Sequence, residues 1–308
     1  MGHTRGRGPD SRPRGQPILK LFSKTTRQRL EAQAAKAVMA LFAALPVDAA
    51  SGLGGGIART IGPLLGVSNV ARRNLARAFP DKSPAEIETI VRDAWENLGR
   101  VAAEFPHINT LAAERVEVVG MEYLHQLRDD GKPGLFVSGH IGNWELGAAI
   151  SVREGVPITL VYREANNPWV EDLYRRYRAT AATGQIRKGA EGAREMMAVL
   201  RGNGHICLLV DQKMNDGIPV PFFGRDAMTA PAVARFALKY QCPVVPVCIE
   251  RLNGARFRMT FQPPVPLPAS GDIHADTQTL MRDITGHLED WIRRRPGQWL
   301  WMHKRWPE

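Results

Sequence analysis

A histidine and a carboxylate lie close together in the segment His140-Ile-Gly-Asn-Trp-Glu145. The histidine can take a proton from a hydroxyl as general base, while the carboxylate fixes its tautomer and stabilises the imidazolium that forms. Such a dyad, with no protein nucleophile, suits direct attack of a substrate hydroxyl on a thioester. The alternative is an ordinary hydrogen-bonded polar pair, because short motifs of this kind recur without catalysis.

Other catalytic chemistries fit the sequence less well. Ser138 is not the serine of a nucleophile elbow, because Phe136 stands where G-x-S-x-G requires glycine. Cys207 lies in an apolar run, which disfavours a reactive thiolate. The eight histidines are scattered without zinc-ligand spacing, and no Walker or dinucleotide fingerprint occurs. We therefore expect neither a metal nor a cofactor.

Short apolar runs alternate with helix-length segments from residue 134 onward. The predicted strands are 135–138, 158–162, 206–210, 244–249 and 257–261, and the predicted helices are 143–153, 168–180, 191–201, 230–240 and 277–294. Apolar strands separated by helices indicate a mainly parallel sheet that is covered on both faces. The sequence thus predicts an α/β fold with a mainly parallel central sheet covered by helices, preceded by a helical N-terminal region.

Polar side chains directly follow three of the predicted strands. His140 follows the first strand, Arg163 the second, and Asp211 with Gln212 the third. Ligands of open α/β sheets bind beyond the carboxyl ends of the strands, so we expect these residues along one rim. Arg163 or backbone N–H groups would stabilise a developing oxyanion or hold a phosphate.

The chain is basic, with 41 lysines and arginines against 31 acids and a net charge of +10. This charge implies an acidic partner: nucleic acid, an anionic membrane or a phosphorylated substrate. Residues 1–30 are predicted to be a basic disordered arm, and residues 31–67 a membrane-associating helical segment. A cleaved targeting peptide and a buried helix are the alternatives for that segment. Residues 68–308 are predicted to be the catalytic domain.

Two aromatic segments admit more than one interpretation. Phe222 and Phe223 could form a hydrophobic lip for an apolar ligand, or pack on the core. The C-terminal segment 299–306 mixes three tryptophans with cations, which suits a membrane interface, stacking on nucleic-acid bases, or closure of the core.

Taken together, these residues resemble the late acyltransferases of lipid A biosynthesis, the lauroyl and myristoyl acyltransferases. That family belongs to the lysophospholipid-type acyltransferases marked by H-x4-D/E. The resemblance extends from about residue 34 to residue 306. The matching segments are Arg73-Asn74-Leu75, Phe79-Pro80, Gly139-His140, Asn143-Trp144-Glu145, Tyr162-Arg163, Asn167-Pro168, Asp211-Gln212, Val220-Pro221-Phe222-Phe223-Gly224, Trp301, His303 and Arg305-Trp306.

The resemblance implies an acyl donor on acyl carrier protein, a Kdo-bearing lipid A precursor as acceptor, and a place at the cytoplasmic face of the inner membrane. It implies no nucleic-acid partner. His140 matches the family's general base and Glu145 its orienting carboxylate. The residues predicted to bind substrate are Asn143, Arg163, Arg187, Asp211 and Gln212.

Two other functions stay open at this point. The first is a related acyltransferase acting on a phospholipid, an ornithine lipid or a mannosylated inositol lipid. The second is a nonenzymatic basic protein that binds a membrane or nucleic acid, for which steep salt dependence would be expected.

Overall fold

The N-terminal helical region begins with a capped helix. A computed structural model describes residues 23–306 of the chain. Helix α1 (Lys24–Ala44) starts at Ser23, whose side chain accepts a hydrogen bond from the backbone N–H of Thr26. Residues 24–30, which we predicted as part of a disordered arm, belong to this helix, and the cap stabilises its start by satisfying a free amide. The rest of the predicted arm lies outside the described residues.

Four further helices complete this region: α2 (Val47–Ile61), α3 (Ser68–Ala78), α4 (Pro84–Glu104) and α5 (Ile108–Glu114). Helices α2 and α4 cross at close range because glycines face each other. A Cβ on Gly54 would lie 2.5 Å from the Cβ of Ala103, and one on Gly99 would lie 2.3 Å from the carbonyl oxygen of Gly54. The absence of side chains on these glycines thus lets the two backbones approach closely.

The strands, in chain order, are β1 (Val116–Val119), β2 (Gly134–Ser138), β3 (Ile158–Tyr162), β4 (Gly184–Arg187), β5 (His205–Leu209), β6 (Lys213–Phe222), β7 (Arg225–Thr229), β8 (Val244–Asn253) and β9 (Arg256–Phe261). Within the described residues, seven of them form one sheet in the order β1-β9-β8-β2-β5-β3-β4. All neighbours in this sheet are parallel except β8 and β9. The predicted mainly parallel sheet is confirmed.

Helices cover both faces of the sheet: α6 (Met121–Asp129), α7 (Leu146–Arg153), α8 (Pro168–Arg178), α9 (Ala190–Arg201), α10 (Ala232–Tyr240) and α11 (Ile273–Arg294). Strand β2 shows how two cores arise. Leu135 and Val137 join the core beneath α9, α10 and α11, whereas Phe136 joins the core beneath α6 and α7. Successive side chains of a strand point to opposite faces, so a strand buried on both sides is apolar throughout.

Strands β6 and β7 form an antiparallel hairpin in a region without a predicted strand. The hairpin carries Phe222 and Phe223 into the core, where both are buried. Phe222 lies 5.8 Å from the ring of Trp299 and 5.6 Å from that of Trp306. The core interpretation of both aromatic segments is therefore confirmed, and the lip, membrane-interface and base-stacking interpretations are wrong.

Candidate active site

His140 lies just beyond β2, and its carboxylate partner is Asp211. The Nδ1 atom of His140 is 2.7 Å from Oδ1 of Asp211, and the backbone N–H of His140 donates to Oδ2 at 2.7 Å. Trp299 donates its indole N–H to the same Oδ2 at 2.8 Å. Strands β2 and β5 are parallel with Ser138 opposite Leu209, so the residues two positions further along each strand meet.

This contact corrects the predicted pairing of His140 with Glu145. It also changes the role of Asp211, predicted to bind substrate, because that side chain is only 2% exposed and is used by His140 and Trp299. Burial alone would raise the pKa of Asp211. Its interaction with His140 and the hydrogen bonds from His140 and Trp299 outweigh burial and hold the pKa well below the ordinary value.

An ionised Asp211 selects the tautomer of His140. A carboxylate only accepts hydrogen bonds, so Nδ1 carries the proton and Nε2 keeps its lone pair. The side-chain amide of Gln212 lies 3.4 Å from Nε2. The amide nitrogen can donate a hydrogen bond to that lone pair, and both side chains line a cavity of about 190 Å³ at the rim of the sheet. His140 is therefore set to accept a proton from a ligand in that cavity.

The cavity combines polar and apolar walls. Its lining residues are His140, Trp144, Glu145, Leu160, Val161, Tyr162, Arg163, Arg178, Lys188, Cys207, Leu209 and Gln212. The sequence predicted four of them at this site: His140, Glu145, Arg163 and Gln212. They meet because the carboxyl ends of β2, β3 and β5 lie side by side.

Glu145 pairs with Arg178 across the cavity wall. Arg178 donates two hydrogen bonds to the carboxylate, at 3.0 and 2.7 Å, and Trp144 donates a third at 3.2 Å. The guanidinium of Arg178 lies 5.5 Å from the ring of Tyr162 and 5.8 Å from that of Phe105. Glu145 is thus a fixed anionic part of the wall. Arg178 was missed by the sequence analysis because it lies at the end of a helix distant in sequence.

Asn143 is fully buried and does not line the cavity, which corrects its predicted contact with substrate. Its Nδ2 donates to Glu104 at 2.8 Å, and its Oδ1 accepts from the backbone N–H of Glu145 at 3.3 Å. Asparagine at this position therefore shapes the loop, because both ends of its amide are bonded within the protein.

Arg187 lies next to the cavity rather than in it. Its guanidinium is 3.4 Å from the carboxylate of Glu164, and it lines a neighbouring polar cavity of about 570 Å³. Lys188 lines both cavities. Desolvation and the positive charge of Arg163 lower the pKa of Lys188, while Asp211 acts in the opposite direction. Lys188 was missed because it follows β4, a short strand that the sequence pattern did not indicate.

Cys207 touches the cavity without being a nucleophile. Burial raises the pKa of its thiol to about 12, and the charge of Glu145 acts in the same direction. The thiol therefore stays protonated at neutral pH, as the apolar sequence around it predicted. Among residues 23–306, no group of three or more histidine, cysteine and acidic side chains is arranged to hold a metal ion.

The site thus combines a histidine held by a buried carboxylate with a cavity at the carboxyl edge of a parallel sheet, and the family match identifies the protein as an acyltransferase. The chain belongs to the bacterial lipid A biosynthesis acyltransferase family, whose model matches residues 21–308.

Curated relatives agree with this family at low identity. The chain is 24% identical to a lipid A biosynthesis myristoyltransferase of Escherichia coli K12 over 237 residues, which are 75% of this chain and 72% of the relative. It is 25% identical to the lipid A biosynthesis lauroyltransferase of the same organism over 250 residues, 77% of this chain and 78% of the relative. It is 28% identical to a phosphatidylinositol mannoside acyltransferase of Mycolicibacterium smegmatis over 248 residues, 74% of this chain and 78% of the relative.

Proposed function

We propose that this enzyme transfers a fatty acyl chain from acyl carrier protein to a hydroxyl of a Kdo-bearing lipid A precursor, with His140 as general base. The observation that carries the proposal is the hydrogen bond between His140 Nδ1 and Asp211, because it puts the basic lone pair of the imidazole on Nε2 in a residue that lines the cavity. The family membership and the names of the relatives from Escherichia coli support this acceptor.

His140 alone carries the proton that moves from the acceptor hydroxyl to the leaving thiolate. The acceptor hydroxyl gives its proton to Nε2 of His140 while its oxygen bonds to the thioester carbonyl carbon. The tetrahedral intermediate then breaks its C–S bond, and the leaving thiolate takes the proton back from the imidazolium. Ionised Asp211 stabilises that imidazolium between the two steps. No acyl-enzyme forms, because the acceptor oxygen itself attacks the thioester carbon.

Cations around the cavity suit an anionic substrate. Arg163 and Lys188 line the cavity together with His140. Their charges would stabilise the oxyanion of the intermediate or hold a phosphate of the acceptor. The net charge of +10 favours encounter with acyl carrier protein, which is acidic, and with a phosphorylated lipid.

A second acceptor class, a mannosylated inositol lipid, is favoured by the relative from Mycolicibacterium smegmatis at 28% identity. Its identity to this chain is higher than the 24% and 25% of the two lipid A acyltransferases from Escherichia coli. The reaction at His140 would be the same, and only the hydroxyl that enters the cavity would differ.

We further propose that the enzyme works on the cytoplasmic face of the inner membrane, through residues 31–67. No helix within residues 23–306 has the length and the apolar character to cross a bilayer. Helix α2 and the turn after it nevertheless expose a run of large apolar side chains: Leu53, Ile57, Ile61, Leu64, Leu65 and Val67. Such a stripe suits interfacial binding.

Replacing Ile57, Ile61 and Leu64 by serine should abolish co-sedimentation with anionic vesicles. Retained binding would contradict this mode of attachment.

The acyl transfer is tested by mass spectrometry of acceptor lipids incubated with acyl-carrier-protein donors of several chain lengths. Wild type is compared with His140→Ala and with a control, His274→Ala, at an exposed position at the start of α11. We expect one added acyl mass with wild type and His274→Ala, and none with His140→Ala.

The acceptor panel contains a Kdo-bearing lipid A precursor and a phosphatidylinositol mannoside. Acylation of the mannoside alone would contradict the lipid A precursor as acceptor and support the mannosylated inositol lipid. A folded wild-type enzyme that acylates neither lipid would contradict both proposed acceptors. A His140→Ala variant as active as wild type would show that His140 is not the general base.

A further inference from the structure

A buried ion pair lies beneath the loop that forms one wall of the cavity. Glu104, at the end of α4, is fully buried, and Arg251, on β8, is 7% exposed. Arg251 Nη2 donates to Glu104 Oε2 at 3.0 Å, and Nη1 donates to Oε1. The ring of Phe257 lies 4.7 Å from the guanidinium and shields it further.

The pair binds two asparagine side chains, Asn97 on α4 and Asn143 in the loop itself. Glu104 Oε2 accepts from Asn143 Nδ2 at 2.8 Å, and Arg251 Nε donates to Asn97 Oδ1 at 2.9 Å. Asn97 in turn donates to the carbonyl oxygen of Gly142 at 2.9 Å. Each charge therefore orients one amide, and the two amides hold consecutive residues of the loop.

The loop has little freedom to lie elsewhere. Gly142 has a φ of +57°, and a Cβ there would stand 1.9 Å from the carbonyl oxygen of Ile249 on β8. The loop therefore rests directly on the strand that carries Arg251. On its other side, Asn143 Oδ1 accepts the backbone N–H of Glu145, the residue that pairs with Arg178 at the cavity.

Stability alone does not account for a buried pair of charges, because its desolvation cost can match or exceed its attraction and apolar pairs often replace it. An apolar pair could not orient the two amides. We infer that Glu104 and Arg251 are positioning residues for acyl transfer. They hold residues 142–145 so that Trp144 and Glu145 form the cavity wall beside His140. The kinetic part of this inference rests on the proposed function.

The test removes the pair and, separately, its link to the loop. Glu104→Met/Arg251→Met removes both charges, and Asn143→Ala removes the link from Glu104 to the loop while leaving the pair and its link through Asn97 intact. The control is Arg72→Met/Glu88→Met, an ion pair that also involves α4, with Nε of Arg72 2.8 Å from the Glu88 carboxylate, but without a contact to the loop. Each full-length variant is compared with wild type in kcat, KM, thermal unfolding and hydrogen exchange of the segment 139–148.

We expect kcat to fall about 10- to 100-fold in the first two variants, with little change in KM. The assays are run at a temperature well below the unfolding temperature of each variant. Exchange should rise in segment 139–148 and not in β5 or β9. The control should change neither. Unchanged kcat and exchange in Asn143→Ala would overturn the inference, as would a rise in exchange spread over the whole domain.

The exchange measurement also separates this inference from the proposed function. If wild type acylates none of the lipids offered, the proposed function fails, while the exchange of segment 139–148 still shows whether the pair holds the loop. If the double variant does not fold, Asn143→Ala decides the result.

Discussion

The Nδ1 atom of His140 lies 2.7 Å from Oδ1 of Asp211, although the two residues are 71 positions apart in sequence. Asp211 also binds the backbone N–H of His140 and the indole N–H of Trp299, so its carboxylate fixes both the position and the tautomer of the imidazole. The nearby Glu145 pairs with Arg178 instead of His140.

Asp211→Asn should lower kcat by roughly 10³-fold while the enzyme stays folded. An amide in place of the carboxylate can donate to Nδ1, which would place the imidazole proton on the wrong nitrogen and leave the imidazolium without its counter-charge. Steady-state acyl transfer, with circular dichroism as the control for folding, measures this. A variant as active as wild type would show that another group orients His140.

Glu145 and Arg178 should act as a coupled pair. Their side chains are 10% and 20% exposed, and removal of either leaves a partly buried charge without its partner. We expect Glu145→Gln and Arg178→Met each to lower the free energy of unfolding by about 1–3 kcal/mol. The double variant should lose less than the sum of the two. Chemical denaturation of the three variants gives the coupling, and additive losses would contradict it.

His303 should make the folded protein sensitive to mild acid. Burial lowers its pKa from 6.5 to about 4, and the opposing charge of Asp211 does not cancel this effect. Between about pH 6.5 and pH 4 the unfolded chain therefore binds a proton that the folded chain does not, so the free energy of unfolding falls as the pH falls. We expect a loss of about 1–2 kcal/mol, because solvent screening reduces the ~3 kcal/mol that the full shift would give.

The variant His303→Gln isolates this effect. Nε2 of His303 accepts the backbone N–H of Lys213 at 2.7 Å, and a glutamine oxygen can accept the same bond. Denaturation at a series of pH values should show a flatter acid limb for His303→Gln than for wild type or for His274→Gln. Parallel curves for all three proteins would rule out His303 as the source.

Cys207 should be dispensable for acyl transfer. Its thiol lines the cavity, but burial raises its pKa to about 12 and leaves almost no thiolate at neutral pH. Cys207→Ala should keep kcat within about tenfold of wild type, since only packing is lost. Denaturing mass spectrometry during turnover should find no acylated protein. An acyl adduct on Cys207 would contradict direct transfer to the acceptor hydroxyl.

The sequence predicted the central strands because their signal is local. Strands such as β2 and β3 are short runs of apolar residues bounded by polar or turn-forming residues, and this pattern is typical of a sheet buried on both faces. Strand β4 contains a single buried residue, Ile186, and strand β6 of the hairpin contains two prolines and a glycine. Neither has the run of apolar residues that separates a strand from a loop in the sequence.

The sequence by itself determined which side chains stand at the rim of the sheet, because a residue that follows a parallel strand is brought to the carboxyl edge wherever that strand lies. His140, Arg163 and Gln212 were found in this way. Only the tertiary structure decided which of them touch. The register of β2 against β5 sets Asp211 beside His140, and the packing of α8 sets Arg178 beside Glu145. Hydrogen-bond partners depend on distances of a few tenths of an ångström, which strand order and helix packing fix and sequence spacing does not.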